Sequence, residues 1–311
     1  MTTTPTTRAG FVAIVGAPNA GKSTLVNAMV GSKVSIVSPK VQTTRMRVIG
    51  IAMADLPDDD RGGARAQVIL VDTPGIFRIA KRRLERAMVA AAWRGADDAD
   101  LVALVVDAER GVGQETRAIV ERLKESRIPR FLVLNKIDVV PRENLLALTS
   151  ELNALLPFDR TFMVSALKHD GVADVLATLA ARLPTGPFLY PEDQAADLPL
   201  RLLAAEVTRE QVFLQLHQEL PYEAAVETEK WEDRPDGSVR IEQTIHVQRD
   251  GQRAIFLGKG GARIKQIGAR ARHELAEMLE RPVHLFLHVK VSERWADDPA
   301  HYRAIGLDYE P

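Results

Sequence analysis

Two rhythms of apolar and polar residues divide the chain. In the first half, short apolar runs alternate with stretches of helical period. Phe11–Val15, Val68–Asp72, Leu101–Asp107, Arg130–Asn135 and Thr161–Ser165 read as strands. Lys81–Arg94, Gln114–Ser126, Pro141–Leu155 and Val172–Leu183 read as helices, and another opens near Lys22. Strands apolar at successive positions bury both faces, so the pattern predicts an α/β domain with a mostly parallel sheet and helices on both faces. Ligand loops of such sheets lie beyond the C-terminal strand ends. Asp55–Ala66 (DLPDDDRGGARA) reads as a solvated loop between two strands.

Prolines from Pro184 to Pro199 then interrupt every periodicity and predict a linker. Beyond it the order changes to a helix over Leu200–Gln218, strands over Tyr222–Trp231 and Val239–Gln248, two helices across Ala254–Leu279 and a strand at Val283–Val291. Pro235-Asp-Gly237 is a hairpin reversal signal. The expected organisation is a disordered arm at 1–8, an α/β domain at 9–184, a linker at 185–199 and an α+β domain with a C-terminal tail at 200–311.

Composition narrows the possibilities. The 311 residues are 46% hydrophobic and 27% charged, enough apolar mass for two cores. No apolar run approaches the ~18 residues that cross a bilayer. With no cysteine, disulfides, iron–sulfur clusters and thiol catalysis are excluded, and a reducing compartment fits. The histidines lack metal-ligand spacing. The net charge of −1 argues against indiscriminate nucleic-acid binding. Yet Arg253, Lys259, Arg263, Lys265, Arg270 and Arg272 fall in one stretch free of Asp and Glu, a local footprint for an anion.

The most specific chemistry begins after the first strand. Gly16, Ala17, Pro18, Asn19, Ala20, Gly21, Lys22 and Ser23, followed by Thr24, satisfy the G-x-x-x-x-G-K-[ST] pattern at a strand-to-helix junction. The glycines let successive backbone N–H groups turn inward on phosphates, and the helix N-terminus adds positive dipole. Lys22 can reach the β and γ phosphates, and Ser23 can offer its hydroxyl to Mg2+. Asp72, Thr73, Pro74 and Gly75 close a second strand. There a carboxylate can hold Mg2+ through water, and the Gly75 N–H can sense the γ-phosphate.

Asn135, Lys136, Ile137 and Asp138 bear on the base. The Asp138 carboxylate can accept two hydrogen bonds from guanine, from N1–H and the exocyclic amine, and adenine offers neither. Asn135 can bond the base and brace the phosphate loop, while the Lys136 stem covers one face of the ring. Ser165, Ala166 and Leu167 follow the last strand, where the Ala166 N–H can meet the guanine carbonyl.

These motifs, in this order, resemble the translation-factor-related GTPases. The resemblance implies a switch threonine at Thr43 or Thr44 of Gln42-Thr-Thr-Arg45, with Thr44 favoured as a Mg2+ ligand beside Ser23 and Asp72. It places catalysis on Lys22, Thr44, Gly75 and Asn19. Where Ras-like enzymes carry a water-orienting glutamine, this chain has Ile76, so intrinsic hydrolysis of GTP to GDP and phosphate is expected to be slow. In several relatives an asparagine at the position of Asn19 helps to bind K+ beside the phosphates.

Gly258, Lys259, Gly260 and Gly261 lie between two helical stretches. Small residues flanking a cation let a sugar-phosphate backbone approach, as in the G-x-x-G loop of KH domains, which grips about four single-stranded nucleotides. The element order resembles a type II KH domain, with Lys259, Arg263 and Lys265 as phosphate contacts. A GTPase joined to such a domain resembles the Era family of bacterial GTPases over nearly the whole chain, from Arg8 to about Leu307. That resemblance implies binding near the 3′ end of small-subunit ribosomal RNA, assistance to small-subunit assembly, a cytoplasmic location and occasional peripheral contact with the inner membrane. No obligate oligomer is expected. Two other readings are an RNA-binding scaffold with GTP as a structural ligand, and an ATP-driven remodelling enzyme, which Asp138 opposes.

Overall fold

The computed structural model describes residues 7–40, 43–56, 64–77, 80, 82–216, 223–293 and 295–309. The arm through residue 6, Gln42, the loop at 57–63, Lys81 and the predicted element ends at 217–222 lie outside them. Contacts divide the chain into two compact units. The first comprises Met1–Ser35, Thr44–Asp197 and Glu310–Pro311; the second comprises Ile36–Thr43 and Leu198–Tyr309.

The first unit alternates strand and helix: β1 (Arg8–Val15), α1 (Lys22–Val30), β2 (Val48–Asp55), β3 (Arg65–Asp72), α2 (Arg83–Asp97), β4 (Leu101–Asp107), α3 (Gln114–Leu123), β5 (Arg130–Asn135), α4 (Arg142–Leu155), β6 (Arg160–Val164) and α5 (Val172–Arg182). The sheet order is β2-β3-β1-β4-β5-β6, parallel except where β2 runs against β3. Alternate residues of the central strands feed two cores. Val12 and Ile14 pack on one face with Leu25 and Leu179, while Ala13 and Val15 pack on the other with Ile119 and Leu152. With both faces covered, only the strand ends are open to a ligand.

Two features differ from the expected organisation. Periodicity does not single out β2, an antiparallel edge strand whose last three residues are partly or fully exposed. The proline-rich segment runs along this edge. The Ile51 N–H donates to the Ala195 carbonyl at 2.8 Å, and the Asp197 N–H donates to the Ile49 carbonyl at 3.1 Å. Gln67, fully buried, holds the same segment: its Oε1 accepts the N–H groups of Leu189 and Tyr190, and its Nε2 donates to the Tyr190 carbonyl. These bonds satisfy edge groups that would otherwise be open to another chain.

The second unit contains α6 (Leu200–Gln215), β7 (Ala225–Asp233), β8 (Val239–Val247), α7 (Asp250–Leu257), α8 (Ala262–Leu279), β9 (Val283–Val291) and α9 (Pro299–Ala304). Its sheet order is β7-β8-β9, antiparallel then parallel. Val212, Ile245, Val247, Phe256 and Ile267 form its main core. α7 begins earlier than the periodicity suggests because Gln252 Oε1 caps it, accepting the N–H groups of Gln248 at 2.8 Å and Arg249 at 3.1 Å. The segment Ile36–Thr43 belongs here: the Val37 N–H donates to Glu210 at 2.7 Å, and the Lys40 ammonium donates to the carbonyls of Phe213 and Leu216 at the end of α6.

Candidate functional site

The phosphate loop links the end of β1 to the start of α1. A side chain at Gly21 (φ 91°) would put its Cβ 2.2 Å from Asn135 Nδ2, so only glycine fits. Lys22 is buried, and its Nζ donates to the Gly16 and Ala17 carbonyls, each at 3.1 Å. Burial lowers its pKa from 10.5 to about 8, with the Asp72 charge opposing. Asn19 sits in the left-handed region at φ 64°.

Asp72 ends β3 fully buried. Its Oδ2 accepts hydrogen bonds from Ser23 Oγ at 2.6 Å and Ser35 Oγ at 2.8 Å, while among the described residues Oδ1 has no hydrogen-bond partner. Burial raises its pKa above the ordinary carboxylate value, and the bond from Ser23 is the largest opposing influence. Thr44 Oγ1 lies 2.8 Å from Ser23 Oγ, so Ser23, Thr44 and Asp72 form one cluster of hard oxygens. A buried carboxylate oxygen without a donor, beside two hydroxyls, suits Mg2+, which takes few protein ligands and keeps several waters. Thr43 is placed differently: its Oγ1 bonds the Lys40 carbonyl at 2.7 Å, and its own carbonyl accepts from Arg209. Sequence reasoning missed Ser35, because a serine in a polar loop carries no local signal.

Thr73 supports the site, donating its hydroxyl to the Ile14 carbonyl at 2.8 Å. The Ile76 N–H donates to the Gly16 carbonyl at 3.2 Å, while its side chain is 4% exposed in the core beside Ala13 and Val15. A hydrocarbon packed there cannot orient a water.

Asn135, at the end of β5, is a buried brace between loops. Its Nδ2 donates to the Ala20 carbonyl at 2.9 Å, and its Oδ1 accepts the Ala166 N–H at 3.0 Å. The N–H that sequence reasoning offered to guanine is therefore engaged by Asn135, because the short last loop folds back onto β5. Asp138 is paired at 3.4 Å with Lys168. A hydrogen bond from Ser165 holds the Asp138 carboxyl below the ordinary carboxylate value. Leu167 is 77% exposed beside this loop. The two motif loops thus converge on Asn135, and Asp72 with Ser23 and Thr44 forms a separate oxygen cluster at the phosphate end.

In the second unit, Gly258 (φ 68°) leaves α7 in a conformation that L side chains rarely adopt; a Cβ there would lie 2.8 Å from Arg263 Cβ. Lys259 and Lys265 are exposed or partly so, as a phosphate contact requires. Arg263 is half-buried, and its Nη1 donates to the Gln215 carbonyl at 2.8 Å, capping α6. The residue expected as a phosphate cation is thus engaged by the protein's own backbone. Ile255, 50% exposed, lies on α7 just before this loop.

Comparison with known proteins identifies both parts of the chain. The family described as "50S ribosome-binding GTPase" matches residues 11–136, and the KH domain family matches residues 219–296. GTPase Era of Sinorhizobium medicae (strain WSM419) is 59% identical over 303 residues, covering 97% of this chain and 94% of that protein. The chain belongs to the GTPase Era family. Another family member, from Brucella suis biovar 1 (strain 1330), is 55% identical over 97% of the chain and 94% of its own length. Among solved structures, a single-substitution variant of Aquifex aeolicus Era bound to GDP.AlF4- matches with a TM-score of 0.89 and 39% identity, covering 98% of this chain and all of that one. An Era complex with MgGDPNP and nucleotides 1506–1542 of 16S ribosomal RNA matches equally well. Era-family membership accounts for a phosphate-loop domain and a KH domain in one chain.

Proposed function

We propose that this chain binds GTP with Mg2+ and hydrolyses it slowly, and that its KH domain binds single-stranded RNA near the 3′ end of small-subunit ribosomal RNA during subunit assembly. The observation that carries the nucleotide half is the buried Asp72 carboxylate, with one oxygen unpartnered, in contact with Ser23 and joined through it to Thr44. Ser23, Thr44 and Asp72 would hold Mg2+ there, and the ion would supply positive charge against the nucleotide's phosphates. The chain itself supplies the rest. The N–H groups of the phosphate loop and the first turn of α1, except at Pro18, which has none, cradle the phosphates, Lys22 adds its charge, and the amide of Gly75 senses the γ-phosphate. Asp138 accepts from the guanine edge while Asn135 keeps the base and phosphate loops in register.

With Ile76 in place of a polar group, turnover depends on positioning and charge. K+ held through Asn19 is the reading that supplies additional charge. Under it, turnover in K+ buffer exceeds turnover in Na+ buffer, and equal rates refute it. The RNA half rests on the Gly258–Gly261 loop, the solvent-facing Lys259 and Lys265, and the 16S fragment bound by a 39% identical Era. A cytoplasmic location fits, with membrane contact only peripheral; among the described residues no helix is long and apolar enough to cross a membrane.

Calorimetry with GTP, GDP and ATP on the purified chain tests the base assignment. Guanine nucleotides are expected to bind at least about 10⁴-fold more tightly than ATP, on the order found for sites whose buried polar groups reject a mismatched ligand. Equal affinity would overturn the assignment. Crosslinking to cellular RNA, followed by sequencing, is expected to recover the 3′ end of 16S RNA. Binding to that fragment with no turnover in any buffer would favour the scaffold reading instead.

A further inference from the structure

β4 ends in Asp107, directly across the sheet from Asn135, the residue that opens the base motif on β5. Its carboxylate is 5% exposed, where an ionised group needs a partner. The two oxygens are used differently. Oδ1 accepts the Glu109 N–H at 3.0 Å and closes the turn after β4. Oδ2 accepts the Lys136 ammonium at 2.6 Å. Among the described residues, the other cation paired with it is Arg110, whose Nε lies 3.6 Å away on a side chain 61% exposed. The turn itself is already bonded, since the Asp107 carbonyl accepts the N–H groups of Arg110 and Gly111 and the Ala108 N–H donates to Asn135. One acceptor oxygen would complete that turn. The negative charge and the second oxygen serve something else.

That something is Lys136. It leaves the chain from the left-handed region at φ 67°, and its end is fixed by Asp107. A free lysine stem samples many rotamers and must be ordered when it packs on a ligand. We propose that Asp107 is a positioning residue for the guanine nucleotide, holding the Lys136 ammonium so that its alkyl stem stands as a ready wall against one face of the base. The inference rests on the reading of Asn135–Asp138 as the base site. With its oxygens engaged by the Glu109 N–H and the Lys136 ammonium, Asp107 acts through Lys136, so its influence falls on nucleotide retention and not on chemistry.

The test uses the full chain with Asp107→Asn, which keeps an acceptor oxygen for the Glu109 N–H and removes the charge. Stopped-flow release of fluorescent GDP and steady-state GTP hydrolysis are measured together. GDP release and KM are expected to rise about 10-fold, as for a site that loses preorganisation, while kcat changes less than about 2-fold. Lys136→Met, which keeps an apolar stem without its charge, is expected to speed release to a similar extent, and the double variant to be no faster than Lys136→Met alone. Unaltered release in Asp107→Asn, or additive effects in the double variant, would overturn the proposal. If Asp107→Asn does not fold, wild-type release rates in Lys136→Met refute it just as well. Should the wild-type chain hold ATP as tightly as GTP, the base-site reading fails first, and that result is distinct from either of these.

Discussion

Lys22 makes nucleotide affinity depend on pH in a direction that can be worked out from its surroundings. Its ammonium is buried against two carbonyls, and burial places its pKa at about 8, against 10.5 when exposed. Below pH 8 the lysine is charged in both folded and unfolded chains, and the folded state carries the full cost of burying it, about 3 kcal/mol. Between pH 8 and 10.5 the unfolded chain binds more protons, so the stability of the nucleotide-free protein rises with pH in that window. Phosphates reverse the situation, because their negative charge stabilises the ammonium and raises its pKa in the complex. Binding above pH 8 must therefore take up a proton, and affinity falls as pH rises, by about 10-fold per unit well above the free pKa. From about pH 7 to about pH 8.5 the expected loss is about 4-fold, with roughly 0.8 proton taken up at the upper end, and the range stays below ionisation of guanine N1–H. Calorimetry of GDP binding in buffers of different ionisation enthalpy reads both quantities. Lys22→Arg, charged throughout, should bind with no pH slope whatever its absolute affinity. A buffer-independent enthalpy and constant affinity across the range in the wild type would refute the reasoning.

Other outcomes follow from single contacts. Asn135→Ala orphans the Ala20 carbonyl and the Ala166 N–H in a buried place, and thermal or denaturant unfolding should show a loss of about 2–4 kcal/mol; a loss under about 1 would mean the brace is redundant. Gln67→Ala removes the three bonds that hold residues 189 and 190 on the sheet edge, so limited proteolysis should cut between 188 and 197 several-fold faster while GTP binding is retained. Gly258→Ala puts a Cβ against Arg263 in a left-handed conformation costing about 1 kcal/mol or more. Filter binding should show weaker RNA affinity in that variant, with GTP turnover in the absence of RNA preserved; unimpaired RNA binding would show that the loop is not the contact.

The candidate site was legible in the sequence because its chemistry is local. A phosphate loop needs glycines and a lysine at fixed spacing between a strand and a helix, and each further motif sits where one strand ends. The central strands were legible for a related reason: burial on both faces leaves apolar runs with little ambiguity. What stayed hidden depends on partners far along the chain. Ser35 joins Asp72 across 37 positions, and Gln67 meets Tyr190 across 123. No spacing rule records such pairs. β2 escaped because an edge strand needs only partial burial, and the proline-rich segment looked like a free linker because its bonds come from that edge. α9 could have been found, since Asp298 followed by Pro299 is a helix-start signal, and Asp298 does accept the Ala300 N–H at 2.9 Å.

Several features that local rules would mark as unfavourable lie in the candidate nucleotide site, although others, such as Glu280 at φ 51°, lie outside it. A lysine whose charge is disfavoured, a carboxylate oxygen with no donor among the described residues, and Asn19 and Lys136 in left-handed backbone all belong to this proposed site. Each costs the empty chain some stability, and the first two are relieved by phosphate and a cation. A ligand that removes such costs binds more tightly than its contacts alone would give, and it stabilises the fold by mass action as well. The loops can be held in this state only because elements that are fully bonded surround them. Asn135 spans two loops with both ends of its amide, Thr73 is tied to β1, and Asp107 closes its own turn while restraining Lys136. Strain at the ligand and satisfaction just behind it are therefore one design: rigid support turns unfavourable local geometry into affinity for the missing charges.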